Sequence, residues 1–212
     1  MMRALLAGAL AFALVACDDA SFPQIHIQRR PVETPYAQQP LSAAWIRAEK
    51  IQLVLERTAG SVTEQRILLN NPTSLRGENV VLLLADRSSH AIETRFQPTQ
   101  MLDETEGTPY PFEAFDKLSF KTREDSLGVM NWARWTNHAG LNCVLAFRRI
   151  DKTDRTLVSG AVIMDMMLRN CVIGSEDEAL EPIGPDAVAF AATRAPRGAA
   201  PQMLSPLAAP LP

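Results

Sequence analysis

Eleven of the fifteen prolines lie in two flanks of the chain, and this placement limits where a helix or sheet can form. Proline has no N–H to donate and holds φ near −65°, so runs of it interrupt both helix and ladder. Pro23, Pro31, Pro35 and Pro40 mark the first flank. Pro182, Pro185, Pro196, Pro201, Pro206, Pro210 and Pro212 mark the second. The proline-poor stretch between them, residues 42–178, is expected to be a single folded domain, long enough to bury its own core. Residues 17–41 read as an extended tether and residues 179–212 as an Ala/Pro-rich disordered tail. Within that tail, only Ala187-Val188-Ala189-Phe190 is apolar enough to pack.

Strand alternation organises the first half of the domain. Over 49–57, Ile51, Leu53 and Leu55 fall on one face and Lys50, Gln52 and Glu56 on the other. Thr58-Ala59-Gly60-Ser61 signals a turn, and 62–69 reads as the returning strand of a hairpin. Val80-Val81-Leu82-Leu83-Leu84 is apolar on both faces, as in a central buried strand. Residues 98–117, with three prolines, read as a long irregular connection.

Leu127, Met130, Trp132, Ala133 and Trp135 recur near helical spacing. Asp125 or Ser126 can cap the start, His138 can interact with the C-terminal dipole, and Gly140 follows the end. One clear helix is therefore predicted there, with its tryptophans in the core. Residues 141–149 and 156–170 form a second strand pair, in which the alternation of Val162, Met164, Met166 and Leu168 outweighs their helix propensity. The expected class is α+β, a mainly antiparallel sheet of five or more strands with one clear helix.

Composition excludes several functions. With 21 basic and 24 acidic residues the chain lacks the positive excess of a nucleic-acid binder. Aromatics at 6% argue against a carbohydrate-binding cleft paved with Trp and Tyr. Nucleophile-elbow, zincin, P-loop and dinucleotide-binding motifs are absent. His26, His90 and His138 are scattered, and the acidic groups Asp103-Glu104-Glu106 and Glu176-Asp177-Glu178 lack calcium-loop spacing, so no metal or cofactor is expected. Glu49, Glu56, Glu64 and Asp165 are the strand carboxylates to test for glycan hydrolysis, a distant third reading that requires two carboxyls across a cleft.

The N-terminus reads as an address. Met1-Met2-Arg3 precedes an uncharged run from Ala4 to Ala16, the proportions of a signal peptide rather than a spanning helix. Its end, Leu14-Val15-Ala16-Cys17, resembles the lipobox of bacterial lipoproteins. The resemblance implies cleavage after residue 16 and lipidation of Cys17, whose acyl chains would anchor the protein with its domain in the periplasm. Asp18 and Asp19 resemble an inner-membrane retention signal whose meaning varies between bacterial groups, leaving inner and outer membrane both open.

With Cys17 assigned to lipid, Cys143 and Cys171 remain in an oxidising compartment, each within an Asn-Cys-Val tripeptide. A disulfide is predicted between them. A tight turn at 152–153 would pair Cys143 with Val162 and place Cys171 about 30 Å further along. A wider hairpin with residues 151–161 as its loop sets Cys143 directly opposite Cys171, and this version is preferred.

Three segments resemble the cellulose biosynthesis protein BcsN family of alphaproteobacteria. They are Val54-Leu55-Glu56-Arg57 with Thr63-Glu64-Gln65, Leu68-Leu69 and Gly77-Glu78-Asn79; the run from Gly140 to Ile150; and Met167-Leu168-Arg169-Asn170-Cys171. Leu145-Ala146-Phe147-Arg148 departs from the family's Tyr-x-Trp-Gln pattern. The resemblance implies a non-enzymatic envelope lipoprotein accessory to cellulose or exopolysaccharide biosynthesis or export, with protein partners in the envelope. A structural lipoprotein of a pilus or secretion assembly is the alternative.

Overall fold

The computed structural model describes residues 34–105, 107–153 and 156–192. Eight antiparallel strands form one sheet: β1 (Ala37–Gln39), β2 (Ile51–Ala59), β3 (Val62–Leu69), β4 (Asn79–Asp86), β5 (Phe120–Asp125), β6 (Gly128–Thr136), β7 (Leu141–Asp151) and β8 (Ile163–Ile173). Their spatial order is β1-β2-β3-β4-β8-β7-β6-β5. Two four-stranded meanders thus run inward from opposite edges and meet where β4 pairs with β8. Because β4 ends at the centre and β5 begins at the far edge, the intervening chain must cross the sheet. It carries the short helix α1 (Pro98–Asp103) on the way.

Both faces are covered, which explains the doubly apolar central strands. On one face Val81 and Leu83 of β4, Met164, Met166 and Leu168 of β8 and Val144 and Ala146 of β7 join one core. Trp45, Ile46 and the C-terminal helices cap it. On the other, Leu82, Leu145, Phe147 and Met167 meet Met101, Leu102 and the phenylalanines of the crossing segment. Each fully buried Val, Leu, Phe or Met side chain among them contributes about 1.5–3 kcal/mol.

The expected α+β class and mainly antiparallel sheet hold, and the methionine-rich segment is a strand. The helix expected around 126–139 is instead the β5–β6 hairpin. Asp125 pairs with Gly128, and Asp125 Oδ1 accepts from the Leu127 N–H at 2.8 Å. The side-chain acceptor read as a helix cap closes a turn, since Asp serves both purposes. Met130 and Trp132 alternate onto one face, while Ala133 and Trp135 take the other, so they are core or near-core residues of a strand. His138, read as a helix terminus, sits at φ 59° in the β6–β7 turn.

Helix occurs instead at the C-terminal side, as α2 (Glu176–Leu180) and α3 (Pro185–Ala192) around a 3₁₀ turn. The domain therefore continues to residue 192, past the expected boundary at 178. Pro182 is the second residue of the 3₁₀ turn and Pro185 opens α3, positions in a first turn where the missing N–H costs nothing. Ala179, Leu180, Ile183 and Val188 belong to the core. At the other end, β1 adds residues 37–39 to the sheet, inside the stretch read as tether. In β2 the register shifts between Ile51 and Leu53, so Ile51 packs with Val54 on one core instead of sharing a face with Leu53 and Leu55.

Candidate functional site

Cys17 lies outside the described residues. Cys143 and Cys171 are joined by a disulfide, opposite each other in the β7–β8 ladder with Cα atoms 4.0 Å apart. The wide hairpin is the one formed: the ladder runs from Leu141↔Ile173 to Asp151↔Ile163. The Cys171 main chain turns its N–H and C=O away from Cys143 and toward Asn79, whose carboxamide binds both. Cys143 and Cys171 therefore form a non-hydrogen-bonded pair, the closer of the two antiparallel spacings.

Beside the disulfide, Arg169 is buried with no carboxylate on its guanidinium. Nε and Nη2 donate to Tyr110 O, Nη2 also to Arg76 O, and Nη1 to Gly77 O and Asn79 Oδ1. Burial lowers its pKa, opposed only by the charge of Glu78. Its role is to tie the crossing segment and the β3–β4 loop to β8.

Two ionic clusters pin the margins of the sheet. At the β1 side, Tyr36 donates its hydroxyl to Glu64, which also accepts from Arg57 Nε at 2.7 Å. Arg57 stacks 4.5 Å above the Tyr36 ring and pairs with Glu104 just past α1. Burial, then the bond to Glu64, push the Tyr36 phenol well above its ordinary pKa. At the β5 side, Glu176 accepts from Lys121 Nζ at 2.8 Å, Trp132 Nε1 at 2.5 Å and Arg134 Nη1 at 3.1 Å. Burial would raise the Glu176 pKa, but these donors hold it below the ordinary range.

A cavity of about 540 Å³ opens where β6 separates from β7. Phe96, Val129, Asn131, Arg148, Arg149 and Asp151 contribute to its wall. Both arginines are already paired. The fully buried side chain of Arg148 reaches Asp125 Oδ1 at 2.5 Å and Oδ2 at 3.1 Å, and donates to Gly128 O and Ile183 O. Arg149 forks onto Asp165 at 2.5 and 2.7 Å, with its guanidinium 5.2 Å from the centre of the Phe96 ring. Burial would raise the Asp125 pKa, but the bonds from Arg148 and Leu127 N–H lower it.

The four strand carboxylates named for hydrolysis are not brought together. Glu56 accepts from Gln65 at 3.0 Å, Glu64 is held by Tyr36 and Arg57, and Asp165 by Arg149. Glu49 lies near Glu181, whose carboxyl is raised by burial and then by the charges of Glu49 and Asp186. None of the four lines the cavity. Among the described residues, no group of histidine, cysteine and carboxylate side chains could hold a metal ion, and no helix is long and apolar enough to cross a membrane.

No family model, curated protein or solved structure matches this chain. Sequence reasoning missed Arg148, Arg169 and Asn79. The signal was present for the arginines: each interrupts an apolar strand, and a guanidinium in a doubly covered sheet requires dedicated acceptors.

Proposed function

We propose that the chain is a non-enzymatic envelope lipoprotein, anchored by lipid on Cys17, whose periplasmic domain assists the production or export of cellulose or a related exopolysaccharide. The observation that carries this reading is Leu14-Val15-Ala16-Cys17 at the end of a short apolar run. The Cys143–Cys171 disulfide supports export to an oxidising compartment. The resemblance of residues 54–79, 140–150 and 167–171 to the cellulose biosynthesis protein BcsN family supplies the polysaccharide. A binding role is preferred to hydrolysis because Glu56, Glu64 and Asp165 are each bound to another side chain and none of them lines the cavity.

Two measurements test it. Metabolic labelling with palmitate is expected to mark the wild-type protein and not Cys17→Ser. Deleting the gene is expected to reduce extracellular cellulose, restored by the wild type and not by Cys17→Ser. Unchanged cellulose with loss of surface pili would replace the reading with a pilus-associated one.

A further inference from the structure

β6 and β7 stop pairing before either strand ends. Their last Cα pair is Met130↔Arg148, although β6 reaches back to Gly128 and β7 runs on to Asp151. The cavity occupies that opening. Its position is set by Arg148, which donates to Gly128 O and to Asp125 across the β5–β6 turn. The guanidinium thereby bridges from β7 to the start of β6 where the ladder has ended.

The chemistry of the wall selects the kind of ligand. Arg148 is bound by Asp125 and Arg149 by Asp165, so an anion entering here meets guanidiniums already matched by carboxylates. The lone carboxylate on the wall, Asp151, accepts from Thr153 N–H at 2.8 Å, so a cation finds no cluster of acidic ligands. What remains is neutral. Asn131 presents a carboxamide oriented by Thr122 Oγ1 at 2.7 Å, Val129 is 47% exposed, and Phe96 supplies an aromatic ring. Hydroxyl groups suit such a wall because each can donate and accept, while the C–H face of a sugar ring packs on Phe96 and Val129. The size falls within the ~300–1,000 Å³ of small-molecule sites.

We propose that this opening is a binding subsite for a neutral polyhydroxylated ligand, a segment of β-glucan chain. The choice of glucan rests on the function proposed above, whereas the neutral, hydroxyl-rich class rests on the cavity alone.

Titration calorimetry of the full-length protein in detergent tests it, with cellotetraose and inorganic phosphate as probes. Cellotetraose is expected to bind saturably with an affinity indifferent to salt, and phosphate not to bind. Asn131→Ala should weaken cellotetraose about tenfold, the loss of a buried ligand hydrogen bond. Val129→Asp should weaken it further, and Gln38→Ala on the opposite sheet edge should leave it unchanged. Absent cellotetraose binding by protein with native circular dichroism overturns the subsite, as does equal affinity in wild type and Asn131→Ala, or displacement by phosphate. Cellulose lost on gene deletion without cellotetraose binding would sink the subsite alone. Cellotetraose binding with unchanged cellulose would sink the accessory function and leave the subsite standing.

Discussion

The carboxamide of Asn79 stands in for a strand opposite Cys171, accepting from its N–H at 2.8 Å and donating to its C=O at 2.9 Å. The same side chain donates to Asn70 O and accepts from Arg169 Nη1. One fully buried residue thus satisfies the centre of the sheet where β4 stops short of the disulfide. Asn79→Leu takes this partner from three main-chain groups, Cys171 N–H, Cys171 C=O and Asn70 C=O, and from one nitrogen of the Arg169 guanidinium. The expected loss is about 3 kcal/mol, since each unsatisfied buried group costs about 1–3 kcal/mol. The midpoint of urea unfolding measures it, and a change below experimental error would remove Asn79 from this role.

The disulfide closes a loop with a sequence separation of 28 residues. Chain-entropy reasoning gives about 3.5 kcal/mol of stabilisation for such a loop. Replacing both cysteines by alanine is expected to lower Tm by several degrees without altering the far-ultraviolet circular dichroism. Under denaturing conditions, maleimide should label a Cys17→Ser variant only after reduction.

Asp125 and Arg148 make stability depend on acid. The Asp125 carboxyl titrates below its ordinary value of 3.8 in the folded protein. Below that value the unfolded chain therefore takes up protons before the folded one. The stabilisation is fully present at neutral pH and is lost as pH falls through 3.8 toward the folded pKa. Asp125→Asn should be less stable than wild type at neutral pH, because Arg148 stays buried without its counter-charge, by about 3 kcal/mol. The difference should shrink as the pH drops below 4, read by denaturant unfolding across a pH series.

Tyr36 holds β1 to the sheet through one hydroxyl and one ring, where the strand itself makes only three residue pairings. Tyr36→Phe keeps the ring over Arg57 and removes the bond to Glu64. The expected cost is about 1 kcal/mol. Amide exchange should accelerate at 37–39 and in the paired part of β2 while β4 and β8 stay protected. Uniform acceleration would mean that β1 is not a separable unit.

Legibility followed physical locality. Alternation located β2 and β8, the turn signal at 58–61 placed β3, and the doubly apolar Val80–Leu84 run correctly pointed to the sheet centre, because alternation and double burial leave direct traces in residue order. The β5–β6 hairpin was misread since both of its faces are apolar in places, and Met130, Ala133 and Trp135 then mimic a helical spacing. The 3₁₀ turn and α3 were hidden by prolines, which are favoured in the first turn of a helix although they interrupt its interior. The cavity wall could not be read at all. Phe96, Asn131 and Arg149 come from the crossing segment, β6 and β7, and their meeting depends on strand order.

The proline-poor span, the alternating strands, the lipobox-like start and the two matched cysteines were determined by the sequence alone, since each depends on neighbours along the chain. Tertiary structure decided which meander meets which, where β6 leaves β7, and how three buried groups, Asn79, Arg148 and Arg169, find acceptors and donors. Those outcomes depend on partners tens of residues away, such as Asn79 with Cys171. A buried polar side chain states in the sequence only that a partner must exist; the arrangement of strands chooses which one.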